Sequence, residues 1–497
     1  MRSRYAFVCG ALLALAVVFA PAFGAELPDR RYYVNTVFSW WPTYTDFSLF
    51  QKFVDASKRK GMNCISLDIP WTIQGDDGGC GFTEPDRRVD YVISRGMSVF
   101  VRVNTTTAGG KAPKWLTNDM LQCTRDGKVY KRDTDGGMLP SLAHPAVRDH
   151  IVRFFRDVAR HYGARYERGP SGEYPVVALS AAFDLYMESE YTPDADVDYC
   201  AAAEKDFAAW ARSHYKSLAD LNAKWGKSLP SWDKVSLKDA HDTARELYFE
   251  FTLQRVLDLI GDTVHQASSL AVGMQTGSIW DNPHRRTMNV TPLLRKLDWL
   301  FIADGPDYNH AFSTDYARCS APGKSVGNEI DAATHPLATG GRYFNQGVRA
   351  FEHGARAVFV ANWDISSIRD NDKWPFLHFV GKIARSPAAH PRPERAIYVS
   401  TWDLINRAAA AGEYMSAYDA LSDGGKQSVD VLPDCIIATN PGCLSSYREV
   451  HLPANWTIPP DVRRALSRVQ ARLKVAKPLV AGTLDEYGRP TEPLVRQ

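Results

Sequence analysis

Residues 176–193 read VVALSAAFDLYMESEYTP, an apolar run interrupted only by Ser180 and followed at once by a segment carrying Asp184, Glu188 and Glu190. A short, nearly continuous apolar run of this kind fits a strand buried on both faces, as in a parallel sheet. Before it lies Pro145–Tyr162, where Val147, Ile151, Phe154, Phe155, Val158 and Tyr162 recur at three and four, one helical stripe facing a sheet. After it comes the longest insertion, Glu188 to about Ala271, with predicted helices at Ala201–Tyr215 and Thr243–Gln266 and a turn at Ala223–Gly226.

The same alternation recurs along the chain. Strands are predicted at Tyr32–Phe38, Asn63–Ile69, Ser98–Asn104, Val176–Phe183, Ala271–Thr276, Trp299–Asp304, Ser325–Glu329 and Ala357–Trp363. Before the second, Phe47, Phe50, Phe53 and Val54 form a helical stripe that Gly61 stops. Eight strands, each followed by helix-length sequence, predict an α/β protein with a (β/α)8 TIM barrel over residues 30–385. A Pro-rich linker follows at 386–395, since SPAAHPRPER cannot continue a helix. Residues 396–481 then read as a smaller α/β domain, with strands at Ala396–Ser400, Ser428–Leu432 and Glu449–Leu452 and helices at Gly412–Leu421 and Pro460–Ala471. A Pro- and charge-containing tail, 482–497, is expected to be poorly ordered.

Residues 1–24 read as a secretory signal peptide: Arg2 and Arg4, then the apolar run 5–20, then small residues where a peptidase cuts. An exported protein, periplasmic or secreted, is the expectation, with no membrane attachment after cleavage. The chain has 59 Lys+Arg against 57 Asp+Glu, and its surplus positives fall in that leader. Near neutrality argues against a nucleic-acid binder or a polybasic membrane-surface protein. With 45% hydrophobic and 11% aromatic residues, disorder is excluded as well. In an oxidising compartment the candidate disulfides are Cys80–Cys123 and Cys435–Cys443, whereas Cys64, inside an apolar strand, reads as a buried thiol. No C-x-x-C pair or His cluster points to a metal, and no cofactor is expected.

In such a barrel the working residues project from the C-terminal ends of the strands. Strand four runs into Asp184 to Pro193, with Glu188 and Glu190, and strand seven ends in Gly327-Asn328-Glu329-Ile330-Asp331. Two carboxyl groups across a barrel mouth suit hydrolysis of a glycosidic bond, one protonating the leaving oxygen and one stabilising or attacking the oxocarbenium-like carbon. Trp40, Trp41, Trp71, Trp280, Tyr308 and Trp363 fall on the same rim as candidate stacking platforms for sugar rings. Asn104, Gln275, Asp304, His310, Asn328 and Asn362 are candidate polar partners for hydroxyls. An oligo- or polysaccharide is the expected partner.

These residues resemble glycoside hydrolase family 42, the β-galactosidases of the retaining four/seven barrel superfamily, over about residues 30 to 480. The likeness rests on Pro145-Ala146-Val147-Arg148 opening a helix that ends Arg160-His161-Tyr162-Gly163, and on Phe207-Ala208-Ala209-Trp210, Tyr215 and Leu221-Asn222-Ala223-Lys224-Trp225-Gly226. It rests further on Val348 to Trp363, with Gly354-Ala355 before the last strand. Ala417-Tyr418-Asp419-Ala420-Leu421, Val429-Asp430-Val431-Leu432 and Leu452-Pro453 are similar to the family's amidotransferase-like second domain. Glu190-Tyr191 resembles the end of the family's Asn-Glu-Tyr acid/base motif, but Ser189 replaces the Asn that would help hold the 2-hydroxyl, and the family's zinc-type cysteine cluster is absent. An ungapped comparison with β-amylases instead puts Glu188 on the acid of Gly-Glu-Leu-Arg-Tyr-Pro, with Tyr191 in step. The resemblance implies Glu329 as nucleophile, Glu188 or Glu190 as acid/base, double displacement on a β-linked sugar, and a possible homo-oligomer. The alternatives are an inverting α-glucan hydrolase and a non-catalytic carbohydrate-binding barrel in an envelope polysaccharide system.

Overall fold

The computed structural model describes residues 32–38, 46–59, 61–74, 79–107, 112–134, 136–166, 175–278, 283–287, 289–302, 309–331, 340–361, 393–407, 409–453, 456–475, 480–492 and 494–496. Strands β1 (Tyr33–Phe38), β2 (Cys64–Pro70), β3 (Ser98–Asn104), β4 (Val176–Ala182), β5 (Ala271–Thr276), β6 (Trp299–Ile302), β7 (Ser325–Asp331) and β8 (Ala357–Ala361) close into a barrel in chain order. Every neighbouring pair is parallel, and Tyr33↔Ala357 and Val34↔Val358 join the last strand to the first. All eight predicted strands are therefore present.

Strand parity decides what fills the barrel. Tyr33, Cys64, Phe100, Ala178, Trp299, Phe301, Ala357 and Phe359 pack together inside it as an apolar plug. One step further along the same inward faces come Asn35, Ser66, Asp68, Arg102, Asn104, Ser180, Gln275 and Glu329, so the C-terminal half of the interior is polar. Gly327 serves the plug by its lack of a side chain: a Cβ there would lie 2.4 Å from Phe301 and 2.9 Å from Phe359.

The outer ring follows the sequence periodicity. Helix Pro145–Arg165 starts with Pro at its first turn and buries Val147, Ile151, Phe154, Phe155, Val158 and Tyr162. The insertion after β4 forms helices Ala201–His214, Leu218–Trp225 and Asp242–Ala267, and Gly226, at φ 65°, ends the second of them. No helix among the described residues is long and apolar enough to cross a membrane. The predicted leader lies outside the described residues, as does the linker up to residue 392.

Beyond the barrel, β9 (Arg395–Val399), β10 (Asp430–Pro433), β11 (Glu449–Leu452) and β12 (Leu473–Val475) form a parallel sheet in the order β10-β9-β11-β12. Its topological switch point, where such sheets take ligands, lies between β9 and β11. Here the protein closes that crevice itself, because Asp403 accepts hydrogen bonds from the Trp456 and Thr457 amides (2.8 and 3.0 Å). The tail corrects the expectation of disorder. Thr483 and Leu484 donate to Trp456 O, and Tyr487 is buried with its hydroxyl 3.0 Å from that of Tyr215. The candidate disulfides are corrected too, since none of Cys80, Cys123, Cys435 and Cys443 forms a disulfide. Cys80 faces Asp157, Cys123 faces Leu121 O and Cys435 donates to Thr291. Cys64 is a buried thiol, as the sequence indicated.

Barrel and C-terminal sheet meet through buried charge. Asp315 accepts from Tyr418 (2.6 Å) and faces His353 Nδ1 (2.8 Å), while His353 Nε2 lies 3.0 Å from Gly425 O. Arg318 pairs with both Asp315 and Asp430. With an acceptor at each ring nitrogen, the charged imidazolium is the form that fits. Burial opposes that charge, but the Asp315 and Gly425 contacts outweigh it and raise the His353 pKa. The linked stability is full below the unfolded-state value near 6.5 and is lost as pH rises through the raised folded value. The thermal stability of the parent should therefore fall from pH 6 towards alkaline pH. In His353→Gln that slope should flatten and stability should fall by on the order of 2 kcal/mol.

Candidate active site

β4 ends at Ala182, and the chain then makes a tight excursion before returning to the barrel wall. Phe183 N and Asp184 N both donate to Glu188 O (2.7 and 3.2 Å), Met187 N donates to Asp184 O (3.3 Å), and Met187 takes the left-handed φ of 70°. Asp184 holds the excursion from inside: its Oδ1 accepts the Tyr186 amide (3.0 Å) and the Glu188 amide (2.7 Å). Ser189 rejoins the wall beside β5, donating N–H to Gln275 O (2.6 Å) and accepting Gln275 N–H on its hydroxyl (3.0 Å). That hydroxyl also donates to Ala181 O, so Ser189 spends it on the wall.

The loop sets three carboxyl groups side by side. Oxygens of Asp184, Glu188 and Glu190 all lie within 4.8 Å of one another, and all three residues are buried. Glu190 is fixed on every side: it accepts from Thr276 Oγ1 (2.9 Å), Gly277 N (2.9 Å) and Thr287 Oγ1 (3.5 Å), and pairs with Arg285. The same guanidinium nitrogen reaches Glu188 Oε2 at 3.1 Å. Gly277 makes this reach possible, since a Cβ there would sit 1.6 Å from Arg285 Nη1 and 2.9 Å from Glu188 Oε2. These three carboxyls could ligate a metal ion, but Arg285 already puts a cation between two of them.

Across the mouth, Glu329 projects inward from β7 and accepts from Gln275 Nε2 at 3.3 Å. It is close enough to Glu188 for its charge to be felt there. Burial first, then the charges of Glu190, Asp184 and Glu329, push the Glu188 pKa well above the usual carboxylate range, and Arg285 offsets this only in part. Burial and Glu190 likewise push Asp184 well up. The arrangement thus offers a proton-holding carboxyl, Glu188, and a second carboxyl, Glu329, near enough for its charge to act on the first.

Asn104 takes its expected place at the end of β3, with its amide against Met187 Sδ and its carbonyl accepting Thr106 N at 2.8 Å. Two expectations are corrected. Trp71 is wholly buried, with its ring edge against Trp115 at 5.0 Å, and offers no open face for a sugar. Asn328 points outward, because strand parity turns it away when Glu329 points in, and it donates to Thr314 Oγ1 (2.8 Å) on helix His310–Ser320. His310 lies against the backbone of Glu329, Nε2 to O at 3.1 Å. Trp40, Trp41, Trp280, Asp304, Tyr308, Asn362 and Trp363 lie outside the described residues.

Sequence reasoning gave no role to Asp184, Gly277, Arg285 or Tyr186. Tyr186, 49% exposed on the loop that carries Glu188, is held by a hydrogen bond to Asp194 (2.9 Å) and by the Arg132 guanidinium over its ring. An aromatic between two carboxylates at a strand end was the available signal for it, and a glycine directly after β5 was the signal for a close approach.

Fold and site together define a class: a TIM barrel with carboxyl groups at the ends of its fourth and seventh strands. Within that class one family stands out, because residues 39–255 match the family model Glyco_hydro_42, beta-galactosidase, which relates this part of the chain to glycoside hydrolase family 42. The beta-galactosidase BgaB of Geobacillus sp. (strain Y412MC61) is 25% identical over 209 residues, 39% of this chain and 27% of that protein. The match therefore spans about a quarter of that relative's length. The beta-galactosidase from Rahnella sp. R3 shares the fold at TM-score 0.72 and 15% identity, over 94% of this chain and 74% of that one. The catalytic domain of a beta-amylase from Paenibacillus polymyxa shares it at TM-score 0.55 and 15% identity, over 73% of this chain and 98% of that one.

Proposed function

We propose that the protein is an exported glycoside hydrolase of β-galactosidase type that cleaves a β-linked sugar with retention, using Glu188 as acid/base and Glu329 as nucleophile. The observation that carries this is the contrast at the barrel mouth between Glu188, buried among carboxyls and inclined to hold a proton, and Glu329, which accepts from Gln275 at 3.3 Å. Glu190 is the other candidate donor, but its oxygens are occupied by Thr276, Gly277 and Arg285, so it anchors Arg285 instead. In the first step Glu188 gives its proton to the glycosidic oxygen as that C–O bond breaks and Glu329 bonds to the anomeric carbon. In the second, Glu188 takes a proton from water as the water oxygen attacks that carbon and Glu329 leaves.

The relatives' names make an aryl β-galactoside the first substrate to try. The test follows the first-formed sugar by NMR: β-anomer supports retention, whereas α-anomer from a β-galactoside, or turnover of α-glycosides only, overturns it. We read the C-terminal sheet as amidotransferase-like on the strength of its strand order, and export on the strength of the leader-like run at residues 5–20. Sequencing the N-terminus of the secreted protein tests the latter.

A further inference from the structure

We propose that Asp184 is a positioning residue acting through Glu188: the two carboxyls, buried side by side beside a guanidinium that Glu190 already engages, keep one proton between them, so that Glu188 meets the glycosidic oxygen as an acid. The role of Glu188 rests on the function proposed above; the pairing of the two carboxyls rests on geometry alone.

Three observations carry it. Asp184 is fully buried, with Oδ1 committed to the Tyr186 and Glu188 amides, so its carboxyl is fixed relative to the Glu188 backbone. Its Oδ2 has no hydrogen-bond partner among the described residues, although oxygens of Glu188 and Glu190 lie within 4.8 Å. Among the described residues Arg285 is the cation paired within the cluster, its guanidinium held by Glu190 and Glu188.

The groups that bear on this pair are Glu190 and Tyr186 on the same loop, Arg285 from the segment after β5, and Glu329 from β7. Among the described residues one guanidinium, Arg285, is paired with carboxyls of this buried cluster. Ionising Asp184 and Glu188 together is therefore unfavourable, and the two titrate as a coupled pair whose last proton leaves at higher pH than it would from either alone. When Glu188 gives that proton to the leaving oxygen, Glu188 becomes a carboxylate beside Asp184, and uptake of a proton from water in the second step restores the pair.

Asp184→Asn tests this, because the amide keeps an oxygen for both backbone donors and removes the charge. The alkaline limb of kcat/KM for an aryl β-galactoside should move down by about one pH unit or more. The kcat/KM for 2,4-dinitrophenyl β-galactoside, which reports the first step with a leaving group that needs no proton, should stay within about threefold at low pH. Equal losses on both substrates with an unmoved limb would mean a purely structural role and would overturn the proposal.

A second measurement needs no turnover. In the full chain carrying ¹³C-labelled carboxyl carbons, the Glu188 carboxyl, assigned by its loss in Glu188→Gln, should titrate lower in Asp184→Asn. The Asp184 carboxyl should reciprocally titrate lower in Glu188→Gln, a comparison that stands even if Asp184→Asn does not fold. Unshifted titrations in these variants overturn the pairing. If the parent hydrolyses no glycoside, the proposed function fails, and this titration still decides whether the pair exists.

Discussion

Glu329→Gln is expected to lower kcat/KM on an aryl β-galactoside by on the order of 10⁴-fold or more, with a folded protein left behind. The amide is isosteric, and its oxygen can still accept from Gln275 Nε2, so neither the barrel plug nor the polar layer above it has reason to move. What disappears is the atom that bonds to the anomeric carbon. Glu188→Gln should behave differently: a loss of about 10²–10⁴-fold on substrates with poor leaving groups and much less on activated ones, since only proton transfer is removed. Circular dichroism and steady-state kinetics on paired substrates check both. Activity that survives Glu329→Gln would exclude the two-carboxylate mechanism.

The second large effect belongs to a residue with no side chain. Gly277→Ala places a methyl group 1.6 Å from the present position of Arg285 Nη1, so the guanidinium must leave. Glu188 and Glu190 then lose their only cationic partner in the cluster among the described residues, and breaking a buried pair on one side costs about 3–5 kcal/mol. Both denaturant stability and kcat should fall, and Arg285→Met should reproduce the loss. Arg285→Lys should recover only part of it, because the shorter lysine side chain places its more strongly hydrated ammonium short of the position from which Nη1 serves both carboxyls. A Gly277→Ala protein with parental stability would show that Arg285 does not hold the cluster.

How much of this was legible in sequence depended on whether the signal was local. The eight barrel strands were, because strands buried on both faces are apolar runs and the helices between them carry their own period. The carboxyls after β4 and on β7 were legible for the same reason: a strand end places its next residue at the mouth. Asn328 was misjudged although parity was in view, since adjacent residues of a strand face opposite sides and Glu329 had claimed the inner one. Trp71 illustrates the opposite limit, as its burial beneath Trp115 depends on a neighbour 44 residues away. Arg285, 95 residues from Glu190, could be placed only by the fold. β12 and the paired tail escaped notice because a three-residue strand and a polar segment pinned by Tyr487 have no period to read.

The central claim assigns two roles to two carboxyls, and the anomeric configuration of azide adducts tests it most directly. With a 2,4-dinitrophenyl β-galactoside and added azide, Glu329→Gly should yield the α-galactosyl azide, because azide takes the place of the missing nucleophile on the face opposite the leaving group. Under the same conditions Glu188→Gly should yield the β-galactosyl azide, because azide attacks the intermediate on Glu329 from the side the acid/base vacated, and Glu190→Gly should yield neither. A β-azide from Glu329→Gly, or rescue of Glu190→Gly in place of Glu188→Gly, would contradict the assignment.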